Sequence, residues 1–357
     1  MTAIPAGQDV TGTKQLDAWQ QRLLPPVEQL ATDLWSIPVP IPQSPLRYVS
    51  SYAFASGGGL VLLDTGWNAD ESWETLVAGL QSIGASTADV RGVLVSHVHF
   101  DHSGLAGRLR EASGAWIAMH PADISVIENH FHGDPEVIVA QEVAFLCQLG
   151  ALAEEAVESV GSVDAYRKFT EIALPDRPLV DGDIADVPGW RLRAVHTPGH
   201  TAGHLCFVDE GAQRFLSGDH ILPRITPNIS AGGHAEQPLA DYLKSLAKVR
   251  DLDVTEILPA HEWRFRGLAE RVDGIAAHHE RRLAELLAAI AEHPGASSWE
   301  LAGYLTWSRS WDQYNGRMRI SAVTETAAHV KELVRRGVAV SSGGDVPGYT
   351  VAEHALD

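Results

Sequence analysis

Ser96-His97-Val98-His99-Phe100-Asp101-His102-Ser103-Gly104 is the stretch on which the reading of this chain turns. Three histidines and one aspartate fall within six residues. They follow Val93-Leu94-Val95, an apolar run inside Arg91–Ser96 that reads as a short buried strand. Neutral imidazoles and a carboxylate suit a borderline-soft divalent metal, zinc above all. Alternate residues at a strand end point in different directions. A turn can then bring Asp101 and His102 around a second ion. A polar, merely histidine-rich loop is the bland alternative, and the density of metal-type donors argues against it.

Three further pieces extend the pattern. Thr197-Pro198-Gly199-His200-Thr201-Ala202-Gly203-His204 follows a strand-like run; so do Ser217-Gly218-Asp219-His220 and Leu258-Pro259-Ala260-His261. Each sets a His or Asp just past a strand end, where loops on a rigid scaffold build sites. A lone His after a strand is usually structural. The set together is far more specific than any one member. Leu63-Asp64-Thr65-Gly66 ends another strand-like run in the same way.

Around these pieces the chain alternates strands and helices. Tyr48–Ala55 and Leu60–Leu63 read as a hairpin around Gly57-Gly58-Gly59, and Ser72–Ile83 as a helix closed by Gly84. A further helix is expected around Leu16–Leu24, stopped by Pro25-Pro26. Strand patterns recur at Ile184–Val187, Trp190–Val195, Leu205–Val208, Arg214–Leu216 and Glu256–Leu258. Between the first and second groups lies a helical insertion, about residues 121–172, with Ala122–His130 and one long run Glu136–Val160. The expected fold is α/β with mixed sheets. After Trp263 come three helical patterns, Leu268–His293, a short one capped by Ser297 or Ser298 through Tyr304, and Thr324–Arg336. A small hairpin, Val338–Ser341 with Tyr349–Val351, closes the chain. Three helices and a hairpin resemble a winged-helix module.

The ordered set of motifs resembles the metallo-β-lactamase-fold hydrolase superfamily, from Tyr48 to Trp263. The resemblance implies an αββα sandwich. It implies a first metal on His97, His99 and His200, a second on Asp101, His102 and His261, and Asp219 bridging them. Asp64 corresponds to the family's aspartate that orients the site, as ligating histidines need their second ring nitrogen held. His204 and His220 are left over and are expected beside the ligands or facing substrate. The implied cofactors are two Zn2+ ions, with Fe or Mn as the other metals these donors accept. The implied chemistry is a bridging water turned to hydroxide near neutral pH by two cations about 3.5–4 Å apart. Asp101 is the expected catalytic residue, orienting that hydroxide while binding metal. No Ser or Cys nucleophile is needed, so Cys206 requires no catalytic part. The expected domains are a catalytic one over 1–265, holding the insertion, and a winged-helix-like one over 266–357.

Charge narrows the substrate. The 357 residues carry a formal −19, and 45% are hydrophobic, enough for a sizeable core. Residues 1–263 hold 16 Lys/Arg against 34 Asp/Glu, a net −18; residues 264–357 hold 11 against 12, a net −1. An acidic body repels phosphate backbones, so nucleic acid is not expected as a partner. The superfamily also hosts lactamases, nucleases and oxidoreductases, and fold does not choose among them. The three-His plus Asp signature with a bridging Asp219 resembles the glyoxalase II-like, lactonase and nuclease branches. The apolar insertion is expected over the site, with His130, Phe131 and His132 lining the pocket for a bulky acyl substrate. Arg264, Arg266 and Arg271 are candidates to hold an anionic tail; surface ion pairs with Glu262, Glu270 and Asp273 are their ordinary alternative. The expected reaction is hydrolysis of a carboxylic thioester, lactone or related ester-type bond. A metal-dependent endoribonuclease or phosphodiesterase and a non-catalytic metal-binding regulatory module are the alternatives. The C-terminal module is expected to serve packing or dimerisation, making a homodimer the self-association to look for.

Cys147 and Cys206, far apart, fit a reducing compartment. Met1–Val10 lacks a basic segment followed by an apolar run, and no stretch reaches the ~18–20 apolar residues that span a bilayer. A cytoplasmic protein without membrane contact is expected.

Overall fold

The computed structural model describes residues 9–167, 172–232 and 235–353. Strand β1 (Asp9–Val10) is followed by β2 (Glu28–Ala31), β3 (Leu34–Pro40), β4 (Tyr48–Ser56) and β5 (Gly59–Leu63). Next come β6 (Val90–Leu94), β7 (Trp116–Met119) and β8 (Arg177–Pro178). Strands β2 to β8 lie side by side in chain order in one seven-stranded sheet. The second sheet adds β9 (Leu192–His196), β10 (Leu205–Asp209), β11 (Arg214–Gly218), β12 (Glu256–Pro259) and β13 (Phe265–Arg266). Its order is β1-β13-β12-β11-β10-β9.

Side-chain alternation decides what each face buries. Along β5, Val61 and Leu63 join Phe54, Leu94, Phe207, Leu216 and Leu258 in a core shared by both sheets. Leu60 and Leu62 point the other way, with Leu76, Leu80 and Leu109 from helices over the first sheet. Each such fully buried side chain contributes roughly 1.5–3 kcal/mol. The period of two is therefore what holds the sheets face to face.

Strand direction decides where the loops gather. β5 and β6 pair in parallel, as do β11 and β12. β9 and β11 both run antiparallel to β10, so β9 shares their sense. Parallel neighbours present their carboxyl ends on one edge. The loops after β5 and β6, and those after β9, β11 and β12, carry Asp64, His97–His102, His200, Asp219 and His261 respectively.

The chain forms two compact units. The first comprises Met1–Phe131, Glu171–Pro227 and Ser245–Asp273; the second His132–Thr170, Asn228–Lys244 and Gly274–Asp357. Both large sheets belong to the first. The second groups most of the insertion with the C-terminal region, whereas the sequence reading left it with residues 1–265. The reason is a shared core: Leu146, Ala156 and Val160 pack with Trp299, Ala302 and Val323. Residues 168–171 of the insertion lie outside the described residues.

Several element expectations need correcting. Glu136–Val160 is two helices, Pro135–Gln148 and Ala153–Val160. Gly150 breaks them at φ 107°, and a Cβ there would lie 2.2 Å from Ser297 Oγ. Ile184–Val187 is no strand; Ile184 makes a single bridge to Arg193, between turns at Gly182 and Gly189. The last helix starts at Gly316, not Thr324. Helices Leu268–Glu292 and Ser298–Tyr304 and the hairpin Ala339–Ser341 with Tyr349–Val351 agree with expectation to within a residue or two. Ser297 caps its helix, exchanging hydrogen bonds with Glu300. Among the described residues no helix is long and apolar enough to cross a membrane.

Candidate metal centre

Asp64 organises the first side of the site. It sits at φ 60°, a left-handed conformation that Asp tolerates better than most residues. Its N–H continues the ladder to Leu94 O at 2.9 Å. One carboxylate oxygen accepts from Ser96 N at 2.8 Å, the other from Ser96 Oγ and His102 Nδ1, both at 2.8 Å. Thr65 donates from N and Oγ1 to His102 O at 2.8 and 2.9 Å. The turn after β5 thus grips His102 by ring and backbone together.

On the far side, His261 Nδ1 donates to Tyr48 O at 2.7 Å. In both rings Nδ1 is held as a donor from behind, so Nε2 is the nitrogen that faces inward. Those nitrogens are buried. His102 Nε2 lies 3.5 Å from Asp219 Oδ1 and 3.8 Å from Asp101 Oδ1. His261 Nε2 lies 3.2 Å from Asp219 Oδ1 and 3.5 Å from Asp101 Oδ2. Asp219 Oδ2 is 3.5 Å from His200 Nε2. His97 Nε2 and His99 Nδ1 approach to 2.9 Å, and both rings pack against His200.

The donors fall into three interlocking groups: His97, His99 and His200; His97, His102 and Asp219; Asp101, His102 and His261. Within each group the donor atoms lie within 4.8 Å of one another. Buried lone pairs this close repel unless cations or protons lie among them. The donor set is nitrogen and carboxylate oxygen, the chemistry of zinc and its neighbours. The residues therefore fit bound metal.

Electrostatics agrees with that fit. Burial and the neighbouring His200 hold His99 down to about 3, so its ring is neutral at physiological pH. Burial opposes protonation of His102 too, but Asp64, Asp219 and Asp101 overcome it and lift the ring to about 10. Burial acts to raise Asp219, yet His261 and His102 hold it well below the usual carboxylate range. The carboxylates thus supply negative charge that a cation can replace a proton to balance.

The remaining expected residues divide. His204 is buried, with Nδ1 2.8 Å from Thr197 Oγ1, and its Nε2 accepts from Asp219 N at 3.2 Å. It positions the Asp219 backbone, and a Cβ on Gly218 would meet it at 2.8 Å. His220 is fully buried and pushed down to about 3, mainly by burial. Phe131 packs on Phe100 with ring centroids 5.0 Å apart, and Phe100 on Trp67 at 5.7 Å. His130 stands beside Phe131 at 5.2 Å in the same turn, Ile127–Phe131. His132 belongs to the second unit.

The arginines are engaged elsewhere. Arg264 is buried between Glu256 and Glu28 at 2.9 and 3.0 Å, and Arg266 pairs with Asp9 at 3.3 Å. Arg271 donates to Leu222 O and Ile225 O, both at 2.6 Å. Arg264 and Arg271 are thus engaged within the fold, whereas Arg266 is exposed beside Asp9. Glu262, next to His261, is fully buried and pairs with Arg224. Cys206 is buried beside Thr197 Oγ1 and Ser217 O, and burial pushes its thiol up to about 12, which keeps it inert.

Asp123 was not among the expected site residues. It sits in the first turn of helix Pro121–Val126, a place where an aspartate is ordinarily solvated. Instead it is fully buried and accepts from Val98 N, Thr201 Oγ1 and Gly203 N. Burial lifts its carboxyl to about 6 against the pull of those donors. Only tertiary contact across 78 residues reveals it.

Residues 44–261 match the model of the metallo-beta-lactamase superfamily. The chain therefore belongs to that superfamily, as a metal-dependent hydrolase. It is similar to a Caenorhabditis elegans beta-lactamase-like protein 2 homolog, 24% identical over 82% of this chain and 81% of that one. It is similar to an atrochrysone carboxyl ACP thioesterase of Aspergillus fumigatus, 25% identical over 65% of this chain but only 42% of that enzyme. A solved metallo-beta-lactamase family protein from Thermus thermophilus superposes with a TM-score of 0.77 at 28% identity, covering 90% of this chain and all of that one.

Proposed function

We propose that this hydrolase cleaves a carboxylic thioester, lactone or related ester-type bond, using two zinc ions. His97, His99 and His200 would hold one ion, Asp101, His102 and His261 the other, and Asp219 would bridge. The observation that carries the reading is the convergence of His102 Nε2, His261 Nε2 and both Asp219 oxygens in a buried space. Metal held by these residues would supply water acidified toward a pKa of about 7 and Lewis-acid polarisation for an acyl oxygen.

The chain's own residues do the rest. Asp101 is the more accessible of the two inner carboxylates, its side chain 15% exposed against 9% for Asp219. It is the group placed to orient a reacting water and take its proton. Asp64 and the Tyr48 carbonyl hold two rings in the ligating tautomer. The Trp67–Phe100–Phe131 row offers an apolar wall suited to an acyl chain. A relative named as an ACP thioesterase supports the thioester choice. The net −18 of residues 1–263 favours acyl substrates over RNA. Three helices and a hairpin support a winged-helix reading of the C-terminal region.

The test is turnover of a medium-chain acyl thioester, an aromatic lactone and single-stranded RNA, each at low and moderate salt. Thioester or lactone hydrolysis with shallow salt dependence is expected. Efficient, steeply salt-sensitive RNA cleavage without acyl turnover would replace the substrate reading.

A further inference from the structure

One carboxylate touches the flanks of all three members of the first histidine group. Val98 lies between His97 and His99, and its N–H donates to Asp123 Oδ2 at 2.9 Å. Thr201 follows His200, and its hydroxyl donates to the same oxygen at 2.8 Å. Gly203 N donates to Oδ1 at 2.7 Å. The two loops concerned come from different sheets, after β6 and after β9. An ionised carboxylate is an acceptor with about four lone-pair sites, so it can take three donors at once. The fit is close: a Cβ on Gly203 would stand 2.6 Å from Asp123 N and 2.7 Å from Cγ.

The second group is held otherwise. His102 rests on Asp64 and His261 on the Tyr48 carbonyl. Asp123 makes no hydrogen bond to Asp101, His102 or His261 among those of the described residues.

We infer that Asp123 is a positioning residue that locks the loop of His97 and His99 to the loop of His200, and so sets the affinity of the first metal position selectively. The inference rests on the two-metal reading above. Asp123 contacts no reacting atom. It acts by removing the freedom of two loops to drift apart, which would spread the three donors beyond the reach of one ion.

The test is metal titration of the full chain after chelator stripping, with Zn2+ competed against a chromophoric chelator and Co2+ as a spectroscopic reporter. Thermal unfolding is followed in parallel. Wild type should take two ions. Asp123→Asn keeps the shape but turns an amide N–H2 toward donors, and should weaken one ion about 10- to 100-fold while sparing the other. Thr201→Val removes one donor at constant shape and should act in the same direction, more mildly. Thr201→Ser restores the donor and should restore wild-type binding and cobalt absorption. Should Asp123→Asn fail to fold, the Thr201 pair decides. Unchanged affinities in both Asp123→Asn and Thr201→Val would overturn the inference alone. So would equal weakening of both ions together with a lowered Tm, the mark of a general scaffold role. Wild type holding fewer than two ions would overturn the two-metal reading and this inference with it.

Discussion

His102 and His261 in the first unit, and His279 and His329 in the second, are equally buried. Their surroundings differ. The first pair aim Nε2 at carboxylates, Asp219 and Asp101, while Nδ1 is held from behind. The second pair face each other, His279 Nδ1 3.1 Å from His329 Nε2, and His329 Nδ1 donates to Glu325 O at 2.8 Å. No cluster of three metal-type donors forms there among the described residues. Burial of imidazole is thus common to both regions, and convergence with carboxylate is what separates a metal site from a structural pair.

The largest expected effect breaks the comparison at its centre. Asp219→Ala removes the carboxylate facing His102, His200 and His261. Hydrolysis should fall by at least about 100-fold, and metal analysis should find at least one ion fewer per chain. The fold should persist, since Asp219 lies in a loop past β11. Near-native turnover would show that no bridging carboxylate is needed.

A smaller effect sharpens the role of the holding groups. Asp64→Asn leaves an oxygen for Ser96 but loses the charge that holds His102 Nδ1–H. A loss of roughly 10- to 100-fold in metal affinity or activity is expected, and equilibrium dialysis with zinc measures the first.

In the second unit the same kind of change should spare chemistry. His279→Leu removes a buried ring whose Nε2 makes no hydrogen bond, but strands His329 Nε2. Stability should change by about 1–2 kcal/mol, read as a shift in Tm, with metal content and turnover untouched. Loss of an ion in this variant would erase the distinction between the regions.

Acid should produce the smallest effect. Burial holds His329 down to about 4 and His279 well below its ordinary value, each aided by neighbouring charge. The folded state therefore rejects protons that the unfolded chain binds below about pH 6.5, and stability falls as pH drops through that point. Glu325 opposes this, because burial lifts it to about 7, so its contribution grows as pH falls from 7 toward 4.5. His97, His99, His204 and His220 are held down in the same sense and outnumber the raised His102, His261 and Asp123, so the Tm of metal-stripped protein should be lower at pH 5 than at pH 7. His279→Leu should reduce that difference.

The residues that the structure brings together in the candidate centre were largely legible without coordinates. Asp64, His97, His99, Asp101, His102, His200, Asp219 and His261 each follow a strand pattern, and their donor chemistry narrows what they can do. The two sheets were legible as well, because period-two alternation such as Leu60–Leu63 marks both faces of a strand. The partners of Arg264 were not legible, because local sequence shows a charge but not its partner; Glu28 lies 236 residues away. Ile184–Val187 failed because an apolar run needs a continuous neighbouring strand, and it found one bridge.

The sequence by itself determined the donor types, their order and the strand ends that carry them, since these follow from local periodicity and side-chain chemistry. Only the tertiary structure decided which ring nitrogens face inward, that Asp123 joins two loops, and that Arg264 is already paired. Those outcomes depend on hydrogen bonds and ion pairs between residues tens to hundreds of positions apart, which no local pattern encodes.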